Sequence, residues 1–203
     1  MNVPYNIPLS TAEFRLTIRG SRFLSFCSPV PDIAAAESIL ADRRKLHHDA
    51  THNCWAYRLG DPPSPIERSS DSGEPSGTAG RSILNALRRA NLTDAIIVVS
   101  RWFGGTKLGK GGLARAYSDS TSGVISLLNT EARIPLMKYT IDCAYDLIGI
   151  VEKCAAAHNA RITRAEYADS ARIHFEIPAA EAPAFLVNLT DFTSNRAKIM
   201  SDE

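Results

Sequence analysis

A two-domain α+β protein is the fold the sequence predicts, on three observations. The chain opens with an alternating hairpin, its middle runs from an apolar strand through a glycine-rich turn into a long helix, and its last third follows the order β-α-β-β-α-β. Composition agrees: 203 residues, 44% hydrophobic and 22% charged, suit one or two compact domains and exclude disordered, collagenous and disulfide-scaffold classes.

Phe14, Leu16 and Ile18 alternate with Arg15, Thr17 and Arg19, and Gly20-Ser21 precedes a second run from Arg22 to Cys27, the pattern of a β-hairpin with a two-residue turn. Beyond Pro31, the residues Ile33, Ala36, Leu40 and Arg43 to Leu46 suit an amphipathic helix, and Asn53 to Leu59 an aromatic-rich strand stopped by Gly60-Asp61-Pro62-Pro63. From Asp61 to Gly80, Pro, Ser, Gly, Asp and Glu dominate; Pro and Gly break ladders while Ser and Asp compete for backbone hydrogen bonds, so this stretch is expected to be one long loop. Long connectors inside compact domains are usually functional or disordered, and a binding loop is the favoured expectation.

Ile83, Leu84 and Leu87 predict a helix over 82–90, Ala95 to Val99 a buried strand, and Leu113, Ala116, Tyr117, Ser120, Val124 and Leu127 a longer helix. Pro135 breaks the pattern and places a domain boundary at 134–138, giving domains 1–137 and 138–203. The second domain is expected to hold strand 139–145, helix 147–159, strands 161–167 and 171–177, a short helix around Phe185 and Leu189, and a final strand near 197–200. That order is ferredoxin-like.

Charge is balanced overall, with 23 Lys and Arg against 22 Asp and Glu, so no basic coat is expected. It is uneven locally. Residues 1–137 carry 16 basic and 12 acidic residues, and 138–203 carry 7 and 10; residues 81–117 hold seven basic residues against Asp94 alone. Cys27, Cys54, Cys143 and Cys154 lack CxxC spacing, and the first charged residue is Glu13, so neither a redox motif nor a basic leader is expected and a reducing cytoplasm is the favoured location. The longest apolar run, Ala95 to Val99, is too short for a membrane span.

The strongest chemical signal is the segment from Arg101 to Arg115, which holds Trp102, Phe103, Gly104, Gly105, Lys107, Gly109, Lys110, Gly111 and Gly112. Its glycines let successive N–H groups converge on an anion beside a helix N-terminus, while Arg101, Lys107, Lys110 and Arg115 supply positive charge. Gly104 to Lys110 fits GxxxxGK, but Gly111 replaces the Mg²⁺-binding Ser or Thr; Gly109 to Ala114 fits GxGxxA without the following acidic strand. No nucleotide cofactor is expected. Aromatics among basic residues suit unpaired bases, so Trp102 and Phe103 are expected to stack on RNA.

The stretch Asp71 to Gly80 borders that segment with Asp71, Gly73, Glu74, Ser76, Gly77 and Thr78. Its acids suit acid–base or Mg²⁺ chemistry, yet helix capping by Ser76 or Thr78 and an Asx turn at Asp71 are the favoured roles. His47, His48, His52 and Cys54 match no standard zinc spacing and need no metal, and no nucleophile–base pair is evident.

The run His47 to Arg58, the loop Ser70 to Gly80 and the strand-loop-helix Val98 to Tyr117 together resemble the YigZ/IMPACT family, residues 10–130 its N-terminal domain and 138–203 the ferredoxin-like C-terminal domain of its bacterial members. The resemblance implies a first domain similar to the second domain of a small-subunit ribosomal protein and to domain four of elongation factor G. The second domain would be similar to domain five of that factor. It further implies a shared surface at Asp71, Gly73, Glu74, Ser76, Gly77, Thr78, Arg101, Gly104, Gly105, Lys107, Gly109, Gly111, Gly112 and Arg115. Trp102 stands where family members often carry tyrosine, which keeps an aromatic face and removes a hydroxyl. Eukaryotic members regulate translation through a stress-kinase activator, using an additional domain outside this sequence, so that partner is not carried over.

The expected function is therefore a non-enzymatic cytoplasmic protein that binds RNA or the ribosome and regulates translation. Two alternatives stay open. One is an enzyme or binding protein for a phosphorylated small molecule, with Glu74 or Asp71 as acid or base; the other is an interaction module whose C-terminal domain docks a protein.

Overall fold

Ala95 to Val99 has no polar face, and a strand of that kind belongs in the middle of a sheet covered on both sides. In the computed structural model, which describes residues 4–62 and 64–202, the run lies within such a strand. The chain divides into two units, one spanning Tyr5–Arg133 and the other continuing from Ile134.

The first unit is built on strands β2 (Ala12–Ile18), β3 (Ser21–Pro29), β4 (His52–Leu59), β5 (Ile66–Ser70) and β6 (Ala95–Trp102). They form an antiparallel sheet in the order β2-β3-β6-β4-β5. Helix α1 (Ile33–Leu46) covers one face through Ala36 and Leu40, which meet Tyr57, Ile96 and Val98. Helices α2 (Gly80–Arg89) and α3 (Gly109–Ile125) cover the other through Ile83, Leu87, Ala116, Tyr117 and Val124, which meet Phe23, Cys54, Ile97 and Val99. The two faces of β6 therefore feed two separate cores, as period-two alternation requires.

The β2–β3 turn falls one residue earlier than the sequence suggested. Arg19 and Gly20 are its central residues, with φ of 47° and 81°, and Ile18 pairs with Ser21. Two positive φ values are the geometry whose twist suits a two-residue hairpin.

Three strands depart from expectation. The stretch 61–80 is not loop throughout, because β5 lies inside it and pairs with β4 from Leu59↔Ile66 to Trp55↔Ser70. Its sequence, IERSS, buries no apolar face; the register is pinned by Arg58, whose Nε donates to Glu67 Oε1 at 3.0 Å. A two-stranded pair, β1 (Tyr5–Pro8) with β7 (Thr130–Arg133), was also unforeseen, and every residue of β7 is exposed. Pro63, read as part of the strand stop, lies outside the described residues.

In the second unit β8 (Leu136–Cys143), α4 (Ile148–Ala157), β9 (Arg161–Tyr167), β10 (Ala171–Pro178), α5 (Ala182–Phe192) and β11 (Lys198–Asp202) follow one another in the expected order. The sheet runs β11-β8-β10-β9, all antiparallel, with α4 and α5 contributing Val151, Phe185 and Leu189 to a core on Ile141, Ile173 and Phe175. Among the described residues no helix is long and apolar enough to cross a membrane.

Candidate functional site: an open helix N-terminus over a buried acid

Strand β6 ends on two consecutive residues that leave it on opposite faces. Arg101 points toward α2 and α3, where it is 4% exposed. Its Nη1 donates to Glu74 Oε1 at 2.6 Å, its Nη2 to Ser21 Oγ at 3.3 Å, and its guanidinium lies 5.5 Å from the Phe23 ring. Trp102 turns toward the α1 side. There its indole N–H donates to Asp49 Oδ2 at 2.9 Å and the His47 ring meets it edge-on at 5.4 Å.

This geometry corrects two sequence expectations. Arg101 is no solvated phosphate contact: burial and the ion pair with Glu74 occupy it. Trp102 and Phe103 do not form one stacking platform: Trp102 lies with Asp49 and His47 on the α1 side, whereas Phe103, just past the strand and 48% exposed, lies at the glycine-rich loop with its ring 5.7 Å from the Arg101 guanidinium.

From Phe103 the chain passes Gly104, which lies against the β2–β3 turn so closely that a Cβ there would come within 1.8 Å of Gly20 carbon. It then enters α3 through Gly109, whose φ of 71° is a conformation glycine alone adopts without strain. Among the described residues no side chain caps α3 at Leu108, and Gly109, Lys110, Gly111 and Gly112 are exposed. The first turn of an α-helix carries unpaired N–H groups and about half a positive charge. Gly105, Lys107 and Arg115 are exposed beside it, and among the described residues neither lysine nor Arg115 makes an ion pair.

Helix α2 shows the opposite arrangement. Asp71 Oδ1 accepts the N–H groups of Ala79 and Gly80 at 2.8 and 2.9 Å, and Oδ2 accepts that of Gly77 at 2.8 Å. Burial pushes the Asp71 carboxyl up, but these three donors outweigh it and hold it below the ordinary value. Asp71 thus caps α2 from outside, the role the sequence had given to Ser76 or Thr78. Ser76 is exposed, whereas Thr78 is buried and donates to the Pro75 carbonyl at 2.6 Å.

Between the two helix starts lies a cleft of about 370 Å³ lined by Glu74, Arg101, Phe103, Lys107, Lys110 and the apolar Leu108 and Leu113. At its floor Glu74 Oε1 also accepts the Tyr117 hydroxyl at 2.8 Å, and Cys54 Sγ donates to that hydroxyl oxygen at 3.3 Å. His52 stands with Nδ1 3.0 Å from the Ser72 carbonyl and Nε2 4.0 Å from Glu74 Oε2. Burial pushes the Cys54 thiol up to about 12 and raises the Tyr117 phenol as well, so both stay protonated at neutral pH. Among the described residues the buried Arg101 Nε has no hydrogen-bond partner. Gly73 and Gly77 lie in the bordering loop, where a Cβ on Gly73 would crowd His52 Nδ1 at 3.1 Å.

Sequence reasoning missed Tyr117 and His52 as neighbours of Glu74, and Cys54 as a partner of Tyr117. Tyr117 had been placed on the core face of its helix, and no local spacing marks a pairing across 43 residues. His47, His48, His52 and Cys54 turn to different partners, namely Arg43, the Lys45 carbonyl, the Ser72 carbonyl and Tyr117. Among the described residues no cluster of His, Cys, Asp and Glu is arranged to hold a metal ion.

Residues 19–125 match the Impact N-terminal domain family, and residues 141–196 match a domain of unknown function, DUF1949. The chain is 30% identical over 198 residues to the IMPACT family member YigZ of Escherichia coli, covering 97% of each protein. It is 32% identical over 191 residues to the IMPACT family member YvyE of Bacillus subtilis, covering 94% of this chain and 88% of that one. With the protein IMPACT of Rattus norvegicus it shares 36% identity over 98 residues, 46% of this chain and 30% of that one. A crystal structure described as that of a hypothetical protein superposes with a TM-score of 0.64 at 29% identity, covering 100% and 98% of the two chains. The chain belongs to the IMPACT family, with an Impact N-terminal domain followed by a DUF1949 domain.

Proposed function

We propose that this protein is a non-enzymatic regulator of translation that binds RNA, free or in the ribosome, by holding its phosphates at the N-terminus of α3. One observation carries the reading. Helix α3 begins uncapped, exposed and flanked by the unpaired Lys107 and Lys110, while the comparable end of α2 is filled by Asp71. An open helix start with two cations attracts an oxyanion. Lys107, Lys110, Arg115 and the N–H groups of Gly109 to Gly112 would bind phosphate, and the exposed Phe103 would stack on a base. Arg101 and Glu74 fix the floor without touching the nucleic acid.

The second unit's strand order supports a ferredoxin-like domain, and the succession of the two domains along the chain supports the likeness to elongation factor G domains four and five. Four unbridged, buried cysteines support a reducing compartment such as the cytoplasm. Fluorescence anisotropy with a single-stranded oligoribonucleotide tests the reading: Lys107→Ala/Lys110→Ala should weaken binding at least tenfold at moderate salt, with thermal stability unchanged. Equal affinity of the variant would overturn it.

A further inference from the structure

The α1 face of the sheet holds a second cleft, which the RNA reading leaves unused. Its volume is about 390 Å³, within the range of about 300–1,000 Å³ typical of small-ligand sites. Trp102 is half-buried within it and held from several directions: by the N–H bond to Asp49 Oδ2 at 2.9 Å, by the edge-on His47 ring, and by the Arg22 guanidinium 5.2 Å from the indole centroid. Arg22 pairs directly across the strands with Trp102, so the register fixes this contact. Arg15 and Leu24 face each other on the neighbouring pair and complete the wall and floor.

The electrostatics are unusual for a patch that only supports the sheet. Arg15 and Arg22 are exposed, and among the described residues neither has an acidic partner; the nearby Glu13 is engaged by Arg43 at 2.8 Å. His47 Nε2 accepts from Arg43 Nη2 at 2.9 Å, and burial followed by the Arg43 charge lowers its pKa, so it is neutral at pH 7. Asp49 is the one carboxylate lining the cleft among the described residues, and the Trp102 N–H holds it below the ordinary value. Two guanidinium groups against one carboxylate leave the cleft net positive. Asp49 Oδ2 takes the Trp102 N–H, which sets a carboxylate acceptor beside the aromatic plane.

We propose that this cleft is a second binding site, for one nucleotide: a planar base lying against the Trp102–Arg22 platform, its amino group donating to Asp49 and its phosphate meeting Arg15 and Arg22. Each part of the ligand answers a part of the cleft. A free anion would leave the aromatic platform and Asp49 unused, and a neutral ring would leave the two guanidinium groups unpaired. The site lies on the opposite face of β6 from Arg101 and the α3 N-terminus, so it does not depend on the RNA reading.

Trp102 reports its own occupancy. The sequence has two tryptophans, Trp55 and Trp102, so Trp55→Phe leaves Trp102 as the sole fluorophore in the full chain. Titrating that protein with adenosine 5′-monophosphate should quench the emission saturably. Adenosine and inorganic phosphate should each bind at least tenfold more weakly, and Arg22→Gln should raise Kd at least tenfold. Lys107→Ala/Lys110→Ala should leave the titration unchanged, which separates this site from the one on α3. A single-stranded oligoribonucleotide forms a parallel arm. If it quenches through Arg22 and the mononucleotide does not, the nucleotide belongs to a strand rather than a free metabolite, and the site stands. Arg15→Gln, at an exposed position, serves should Arg22→Gln fail to fold. Absence of quenching by either probe, quenching by phosphate as strong as by the mononucleotide, or quenching indifferent to both arginine variants would overturn the proposal.

Discussion

Replacing Asp71 by alanine removes one carboxylate and leaves three backbone donors at the start of α2, those of Gly77, Ala79 and Gly80, without their acceptor. A hydrogen bond to a charged group contributes about 1.5–3 kcal/mol, but three that share a carboxylate are not additive, and helix caps taken singly contribute about 0.5–2 kcal/mol. The expected loss is about 2–4 kcal/mol, or roughly 5–15 °C in Tm for a chain of this size. Asp71→Asn keeps one acceptor oxygen but sets an amide N–H₂ against one donor, and should lose about 1–2 kcal/mol. The dependence on pH has a definite sign. Because the folded pKa of Asp71 is depressed, its contribution is complete above the ordinary carboxylate value and is lost as pH falls through the lower folded value. The gap between wild type and Asp71→Asn in urea unfolding should therefore be widest near neutrality and shrink in acid. A loss under about 0.5 kcal/mol in Asp71→Ala, or a gap independent of pH, would refute the reasoning.

Three other outcomes are expected. Glu74→Ala strands the buried Arg101 guanidinium and should destabilise the first unit by about 3–5 kcal/mol in urea unfolding, whereas Glu74→Gln, which keeps an acceptor for Arg101 and Tyr117, should be milder. Gly104→Ala places a methyl group where Gly20 lies and should lower stability by about 2–3 kcal/mol while changing the amide signals of the β2–β3 turn in NMR spectra. All four cysteines are buried, and Cys27 and Cys54 are pushed up to about 12, so a thiol-specific reagent at mildly alkaline pH should titrate none rapidly in native protein and four after denaturation.

Elements that bury an apolar pattern were legible from the sequence. β6 is buried without a break from Ala95 to Arg101, α3 carries Leu113, Ala116, Tyr117 and Val124 at helical spacing, and β10 alternates through Ile173, Phe175 and Ile177. Strands held by pairing alone were not. β5 fully buries no side chain and β7 exposes all of its own, so their hydrogen bonds to distant partners left no hydrophobic trace in the sequence. At the site, the glycine-rich entry to α3 and its lysines could be read because their meaning is local. The pairing of Glu74 with Arg101 and Tyr117 is a product of tertiary folding. The separation of Arg101 from Trp102, by contrast, was available from strand alternation alone, since the two must face opposite ways once β6 extends to Trp102.

The central claim, that the start of α3 is a phosphate site for RNA, is tested most directly by the salt dependence of binding to a single-stranded oligoribonucleotide. Each phosphate neutralised on a single strand contributes about 0.7 to the slope of log K against log salt. Removing Lys107 and Lys110 together should lower the slope by about 1.4, along with the affinity. A slope equal to that of the wild type would contradict the claim, as would a wild-type protein that fails to bind RNA at low salt.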